Sequence, residues 1–314
     1  MPRWIYRRLG DRLFAGVVVA LGLGLVLLAL LIAYELFSGA APALGRFGFF
    51  GFLLGREWDA VRGVFGAWPA LLGTLITSAL ALVLAFFPAL AAAIYVVELA
   101  PAWLKEPVAY LVDLLAALPS VVYGLWGLFV LVPPLRAHVE SPLYLWAAAH
   151  APGVLPLLGP PTGIGLFSAT LVLALMIVPY ASSLARDALA LVPREQREAM
   201  YALGATRWEV IRGAVIPYAR AGIFSGVVLA LARALGETMA VTMLIGNSVE
   251  LPYSLFGPAA TMASLIANEF TEASDDLHLS ALVAVGLLLL LIALLTNLVA
   301  TWILNRMQLE GGRR

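Results

Sequence analysis

Two opposite charges stand four positions apart in the apolar stretch LARALGETMAV, residues 231–241: Arg233 and Glu237. Residues at this spacing lie on one face of an uninterrupted helix, so the sequence predicts that the two side chains are neighbours. Each charge would cost about 2.5–3.5 kcal/mol at the centre of a lipid-exposed helix. The pair is therefore predicted to face protein or a water-filled path.

Reversible anion binding is the chemistry that this pair could perform. A guanidinium presents a planar fork of N–H donors that suits a tetrahedral oxyanion. Glu237 would hold this fork in place and moderate its charge, so that a bound anion could leave again. Thr238 adds a hydroxyl beside the pair. The alternative is a buried ion pair that only fixes the register of the helix, a role that needs no ligand.

The composition of the chain requires a membrane. Of its 314 residues, 62% are hydrophobic and only 12% are charged, whereas charged residues make up about 25% of a typical soluble domain. The apolar residues fall into runs long enough to cross about 30 Å of hydrocarbon. Because the backbone must be hydrogen-bonded within each span, the sequence predicts an all-α polytopic membrane protein.

Six apolar segments are predicted to span the membrane. Thirteen Lys and Arg residues lie before the first segment, in the second and fourth connections or after the last segment, against four in the first and third connections. The connection 247–278 carries acidic residues and no basic one. The positive-inside rule therefore places both termini in the cytoplasm. The predicted spans are residues 13–37, 69–97, 108–132, 163–185, 214–246 and 279–304.

The predicted organisation is one transmembrane domain preceded by a separate first helix. Substantial outer loops are expected at 38–68, 133–162 and 247–278, and a long inner loop at 186–213. The segments are a cytoplasmic N-terminus at 1–12, a first transmembrane helix at 13–37, the outer loop 38–68, five helices within 69–305 and a cytoplasmic C-terminus at 306–314.

Several kinds of chemistry are excluded by the residues that the chain lacks. It has no cysteine, and its three histidines are scattered without the spacing of metal ligands. We therefore expect no catalytic residues, no metal and no cofactor, and the zero net charge gives no reason to expect nucleic acid. Lys105 is the only lysine and follows Leu104, so no P-loop can be built and any ATP must be bound by another protein.

The inner loop and its exit read PREQREAMYALGATRWEVIRGAVIP, residues 193–217. Pro193 suits the first position of a helix, and Gly204 suits the left-handed residue that ends one. Thr206 and Glu209 have the spacing of a capping box for a second helix, and Pro217 is expected to mark the turn into the next span. The sequence thus predicts two short helices that meet at a Gly-Ala-Thr corner. An amphipathic loop that merely lies on the membrane surface is the alternative.

This stretch resembles the EAA loop of ABC-transporter permeases, in which Glu-Ala-Ala is followed at fixed distances by Gly, Ile and Leu-Pro. Glu198, Ala199, Gly204 and Pro217 match that pattern, while other positions replace one apolar residue by another. In that family the loop docks into a separate ATPase subunit and transmits its motion. The resemblance assigns this coupling role to Glu198, Ala199, Gly204, Ala205, Thr206 and Arg207.

Longer stretches are similar to the phosphate ABC transporter permeases, and to their PstC type more than to their PstA type. They are RALGETMAV, LPSVVYGLWGLFVLVPP at 118–134, LPYSLFGPAATMASLIANEF at 251–270 and ALLGTLITSAL at 70–80. The resemblance implies a type I ABC importer permease fold in a bacterial inner membrane. It assigns the substrate path to Arg233, Glu237, Thr238, Thr74, Thr77, Ser78, Ser120 and Tyr123. The hydroxyl residues among these could instead pack helices and bond their own backbone.

The resemblance also implies partners. They are a second homologous permease subunit, two ATP-binding subunits on the cytoplasmic side, an outer phosphate-binding protein and the membrane lipids. ATP hydrolysis would then reside in a partner, and this chain would supply half of a path for inorganic phosphate. Other interpretations remain open at this point: a permease for sulfate or molybdate, which Arg233 would suit equally well, a proton-coupled secondary anion transporter with Glu237 as the proton site, or a membrane enzyme.

Overall fold

The computed structural model describes residues 3–273 and 275–311. The cytoplasmic termini predicted at 1–12 and 306–314 lie partly outside these residues. Six helices in the described part are long and apolar enough to cross a membrane, which agrees with the predicted number of spans. These six helices are Leu13–Phe47, Trp68–Leu99, Ser120–His150, Leu166–Ala190, Arg207–Leu235 and Asp276–Arg306.

The first helix, α1 (Arg3–Phe47), is longer than the predicted span at 13–37 and continues through Pro42. Its most apolar window is not covered by protein at all, which suits contact with lipid. Its second half packs against the sixth span, where the Ser280 hydroxyl accepts the Ala43 N–H at 3.0 Å and donates to the Gly39 carbonyl at 2.8 Å. The predicted outer loop 38–68 therefore begins as helix.

A small antiparallel hairpin completes this outer segment. Helix α2 (Phe49–Leu54) precedes β1 (Trp58–Asp59) and β2 (Val64–Phe65), and Trp58 pairs with Phe65 in register. The indole N–H of Trp58 donates to the Glu269 carboxylate at 2.7 Å. The hairpin is thereby attached to the segment that precedes the sixth span.

The second span is α3 (Trp68–Ile94), which continues as a π-helical turn over Tyr95–Leu99. The third crossing differs from the prediction. Helix α4 (Ala102–Ala117) stops before Leu118, which is extended because Pro119 disfavours a helical conformation at the residue before it. A new helix then runs without interruption through Ser120–His150. The predicted span 108–132 is thus broken, and the predicted outer loop 133–162 is helical as far as His150.

That long third-span helix alternates α-helical and π-helical turns. Its α-helical parts are α5 (Ser120–Trp126), α6 (Val132–Leu135) and α7 (Ser141–His150), joined by π-helical turns at Gly127–Leu131 and Arg136–Glu140. A short 3₁₀ turn (Pro152–Val154) and α8 (Leu155–Leu158) lead to the fourth span, α9 (Leu166–Ala190). Pro133 and Pro142 follow these wide turns within two residues, and the turns accommodate them within the continuous helix.

The rest of the chain contains the inner loop and the last two spans. Helix α10 (Arg194–Ala202) lies within the inner loop. The fifth span consists of α11 (Arg207–Val210), a π-helical turn (Ile211–Val215) and α12 (Ile216–Leu235). After α12 the chain forms α13 (Met239–Leu244), α14 (Met262–Glu269) and the sixth span, α15 (Asp276–Gly311). The predicted fifth span at 214–246 is therefore two helices rather than one.

Helix α9 lies at the centre of the bundle, and two-thirds of its most apolar window is buried inside the protein. It packs most extensively against α3 and α12. Small residues permit this close approach: a Cβ at Gly222 would lie 2.6 Å from the Ala188 Cβ. Small residues at helix contacts are how membrane helices gain packing without a hydrophobic driving force.

The start of α15 is fixed by an acidic cap. Asp275 Oδ1 accepts the backbone N–H groups of Leu277 at 2.6 Å and His278 at 2.9 Å. These bonds, chiefly that from His278, hold the pKa of Asp275 below its ordinary value of 3.8. Because the folded-state pKa is the lower one, the stabilisation is fully present above pH 3.8 and is lost as the pH falls through the folded-state pKa.

Replacing this cap should have a pH-dependent effect on stability. We expect Asp275→Ala to lower the midpoint of thermal unfolding at pH 7 by about 2 °C, since two N–H groups lose their acceptor. Asp275→Asn, which keeps an acceptor, should stay closer to wild type. Thermal unfolding in detergent micelles at pH 7 and pH 3 measures this, and a difference between wild type and Asp275→Ala that persists unchanged at pH 3 would refute the assignment.

Candidate functional site

The charged pair lies at an interruption of the fifth span. Arg233 is near the end of α12, which stops at Leu235, whereas Glu237 lies between α12 and α13. Gly236 weakens the helix at this point, and the Thr238 hydroxyl donates to the Gly236 carbonyl at 3.2 Å, which competes with helical hydrogen bonds. The prediction that Arg233 and Glu237 share one helix face is therefore wrong.

The two charges also differ in exposure. Arg233 is exposed on the surface of the single subunit, whereas Glu237 is only 9% exposed. A Glu237 carboxylate oxygen lies 3.5 Å from the Ala240 N–H, which belongs to α13. Within the described residues no ion pair within 4.0 Å joins Arg233 to Glu237. Glu237 thus supports the start of α13, and neither the predicted carboxylate support for the guanidinium nor a register-fixing ion pair is present.

Two tyrosines surround Arg233 instead. Its guanidinium carbon lies over the ring of Tyr180, 5.7 Å from the ring centroid. Its charge is also close enough to the phenol of Tyr123 for an electrostatic interaction. Tyr123 was predicted from the sequence, but Tyr180 was not, because it lies in the middle of α9 and no spacing within the sequence connects it to Arg233.

The break in the third crossing adjoins this arrangement. Ser120 begins α5 directly after Pro119, and the Tyr123 hydroxyl donates to the Leu115 carbonyl at 2.9 Å, across the break. Beside the break is a largely apolar cavity of about 350 Å³. Its lining residues are Leu115, Leu118, Val122, Tyr123, Trp126 and Leu175.

The two interrupted spans pack on each other. Helix α5 contacts α13 along Gly124, where a Cβ would lie 3.1 Å from the Ala240 Cα and 2.6 Å from the Met243 sulfur. The segments that follow the two breaks are therefore held as one unit. Ser120, Tyr123 and Thr238 all lie at or just after these breaks.

The three hydroxyl residues predicted on the second span do not lie near an exposed surface. Thr74, Thr77 and Ser78 are 1–2% exposed. Thr74 donates to the Ala70 carbonyl at 2.8 Å and accepts the Met262 N–H at 2.8 Å, and Thr77 donates to the Gly73 carbonyl. The hydroxyl groups of Thr74 and Thr77 therefore bond within the interior, and all three residues are buried in the single subunit, unlike Arg233.

The inner loop has the predicted helix–corner–helix geometry. Gly204 adopts the left-handed conformation with φ +83°, and Thr206 and Glu209 form the predicted capping box, in which the carboxylate accepts the Thr206 N–H at 2.7 Å. Two details differ. Pro193 precedes the first residue of α10 and is not within it, and Pro217 lies inside the continuous helix Arg207–Leu235 and makes no turn.

We call residues 198–208 the inner corner. The coupling residues predicted there are accessible: Glu198, Ala199, Gly204, Thr206 and Arg207 are exposed and Ala205 is half-buried. Two large apolar side chains project beside them, with Leu203 85% and Trp208 60% exposed. An exposed apolar surface at a stiff corner is typical of a protein docking site.

Arg197 attaches α10 to the end of the second span. Its guanidinium donates to Glu98 Oε1 at 2.7 Å and to the Leu189 carbonyl at 3.1 Å, and also to the Val192 carbonyl. Both charged side chains are mostly buried, 18% exposed for Arg197 and 11% for Glu98. A force applied at the inner corner would therefore reach α3 and α9 through this contact.

The fold is that of a transport permease. Residues 89–309 match the family of the binding-protein-dependent transport system inner membrane component. A chain of a bacterial alginate ABC transporter, solved with an alginate-bound periplasmic protein, shares the fold at a TM-score of 0.63 and 17% identity, over 95% of this chain and 97% of that one. A chain of the MetNI methionine ABC transporter aligns at a TM-score of 0.56 and 19% identity, over 76% and 96%.

Two permeases of phosphate transport systems are more similar to this chain in sequence than the two solved structures are. The phosphate transport system permease protein PstC of Mesorhizobium japonicum is 46% identical, over 90% of this chain and 86% of its own length. PstC of Haemophilus influenzae is 43% identical over 96% of both. The chain therefore belongs to the PstC family of phosphate transport system permeases, and it is a multi-pass component of the inner membrane with the type I importer permease fold.

Proposed function

We propose that this chain is the transmembrane subunit that forms half of an ATP-driven import path for inorganic phosphate. The observation that carries the proposal is an arginine exposed on a membrane-spanning helix in a chain 43–46% identical to PstC permeases. A cation exposed on a span is costly in lipid. Its exposure is explained if a sister permease subunit covers this surface and the two subunits enclose an aqueous path between them.

In the proposed path, Arg233 binds the phosphate transiently. The guanidinium offers paired N–H donors to a tetrahedral oxyanion, and Ser120 at the adjacent helix break can add a hydroxyl donor. The hydroxyls of Tyr123 and Thr238 would first have to turn from the Leu115 and Gly236 carbonyls to which they donate. Glu237 does not touch the guanidinium and instead supports the start of α13. It therefore lies near the site without taking up the N–H donors of Arg233. An anion held by one cation and neutral donors can leave again.

The inner corner is the proposed ATPase contact. A partner ATPase dimer would receive one corner from each permease subunit, here residues Glu198, Ala199, Gly204, Ala205, Thr206 and Arg207. Closure of the ATPase dimer on ATP would move α10 and, through Arg197, the inner ends of α3 and α9. An outer phosphate-binding protein would deliver the substrate at the opposite end of the bundle.

The test is uptake of labelled phosphate into proteoliposomes that contain the whole complex, with the binding protein outside and ATP inside. We expect ATP-dependent uptake that excess unlabelled phosphate abolishes and excess sulfate leaves unchanged. Inhibition by sulfate would favour a permease for other oxyanions. Uptake that needs a proton gradient but no ATP would favour the secondary transporter and contradict the proposal.

The Arg197 contact gives a separate prediction about coupling. Arg197→Met should raise the number of ATP molecules hydrolysed per phosphate imported about 5-fold, since single positions along such a connection change coupling by about 0.5–2 kcal/mol. Arg194→Met, at the exposed first residue of the same helix, is the matched control and should leave the ratio unchanged. Parallel assays of ATP hydrolysis and uptake measure the ratio, and equal ratios in all three proteins would exclude a coupling role for Arg197.

A further inference from the structure

An arginine that binds a substrate and releases it must be held in position without losing its hydrogen-bond donors. A carboxylate partner would hold the guanidinium but would also occupy the N–H groups that the anion needs. In this structure Glu237 is buried between α12 and α13 and makes no ion pair with Arg233 within the described part of the chain. Some other group must orient the guanidinium.

The ring of Tyr180 is placed to do this. The guanidinium carbon of Arg233 lies 5.7 Å from the Tyr180 ring centroid, within the distance of about 6 Å at which a cation is attracted to an aromatic face. The π face attracts the positive charge but offers no lone pair comparable to a carboxylate oxygen. A guanidinium held in this way keeps N–H donors available for an oxyanion.

The backbone around Tyr180 is well anchored. Tyr180 follows Pro179, which is buried inside α9, and α9 is the most buried span of the bundle. Arg233, in contrast, is exposed two residues before the last residue of α12. The contact therefore connects an exposed side chain to the most buried of the candidate spans.

We propose that Tyr180 is the positioning residue of the phosphate path: its ring holds the Arg233 guanidinium toward the path and leaves its donors free. This inference rests on the proposed function of Arg233. It reassigns to Tyr180 the orienting role that the sequence indicated for Glu237. The charge of Arg233 is then not neutralised by direct contact, so its attraction for the anion is retained.

We expect the transport rate to depend on the aromatic ring of Tyr180 and not on its hydroxyl group. Tyr180→Phe keeps the face and should transport at nearly the wild-type rate. Tyr180→Leu removes it and should lower the initial uptake rate about 3- to 10-fold, the range that a cation–π contact of ordinary strength supports. Tyr34→Leu is the matched control, because Tyr34 is 65% exposed on α1, which packs against α15 and not against α12 or α9 in any extensive contact, and it should have no effect.

A series of fluorinated phenylalanines at position 180 distinguishes positioning from packing. Fluorine withdraws electron density from the ring face while changing its size little, so uptake should fall stepwise from phenylalanine to the trifluorinated ring. Equal uptake across the series would overturn the proposal, whether or not Tyr180→Leu assembles. Wild type and Arg233→Gln are measured in parallel: failure of wild type to import phosphate would contradict the proposed function itself, whereas a flat series beside an inactive Arg233→Gln would contradict only the role of Tyr180.

Discussion

Arg233→Gln should reduce phosphate uptake by the assembled complex about 100-fold, since loss of a paired, charge-assisted contact with an anion costs about 3 kcal/mol. Glutamine retains hydrogen-bonding capacity and much of the side-chain length but removes the charge. Because Arg233 is exposed on the single subunit, its replacement leaves no buried partner uncompensated, so the complex should still assemble. Uptake of labelled phosphate per assembled complex is the measurement.

Two variants sharpen this experiment. Arg233→Lys keeps the charge but loses the planar fork, so it should transport at a rate between those of wild type and Arg233→Gln. Arg306→Gln is the matched control, because Arg306 is also an arginine on a span and lies over an aromatic ring, that of Trp302, at 4.2 Å, but on α15 near its end. The proposed role of Arg233 fails if Arg233→Gln, present at normal membrane levels, transports as well as wild type.

The parts of the fold that sequence reasoning predicted correctly depend on local signals. Long apolar runs determine the six spans, because lipid demands internally bonded helices. The left-handed Gly204 and the Thr206–Glu209 capping box were predicted because each depends on residues within one or two turns of each other. The exposed cation at Arg233 was recognised because a charge in an apolar run is conspicuous.

The errors arise where the helix geometry departs from regular turns. The third crossing breaks at Pro119 but continues past later prolines, since π-helical turns absorb them. The fifth span breaks at Gly236, so the four-residue spacing from Arg233 to Glu237 does not bring the two side chains together. A hydropathy pattern detects the length of an apolar segment but hardly changes when one helical turn is interrupted. Both interruptions lie at the candidate site.

Contacts between distant segments were the other gap. Tyr180 meets Arg233 only because α9 and α12 pack together, and no local pattern encodes that pairing. The same holds for the Arg197–Glu98 ion pair. For Thr74, the sequence allowed either a path-lining or a packing role, and its bond to the Met262 N–H, which depends on the position of α14 against α3, favours packing. The proposed path is thus assembled from interrupted helices whose supporting contacts come from distant parts of the chain.

We expect the largest effect on folding at one of these supporting contacts, that between Gly73 and Ala260. A Cβ at Gly73 would lie 2.0 Å from the Ala260 carbonyl oxygen, a backbone atom that cannot turn aside. We expect Gly73→Ala to force α3 away from the segment before α14 and to break the Thr74–Met262 hydrogen bond of 2.8 Å. Overpacking of this kind costs about 1–3 kcal/mol and occasionally more, so the yield of folded complex should fall sharply.

Two further variants distinguish overpacking at Gly73 from loss of the Thr74–Met262 hydrogen bond and from a general effect of replacing a helical glycine. Thr74→Val keeps the shape of the side chain, removes the acceptor for the Met262 N–H, and should be milder than Gly73→Ala. Gly24→Ala, on the lipid-facing part of α1 where an added Cβ meets nothing within 4 Å, should be tolerated. Thermal unfolding and yield of the purified complex compare the three. Normal stability of Gly73→Ala would mean that α3 and the segment before α14 are not in the close contact described above, and the interior placement of Thr74 would fall with it.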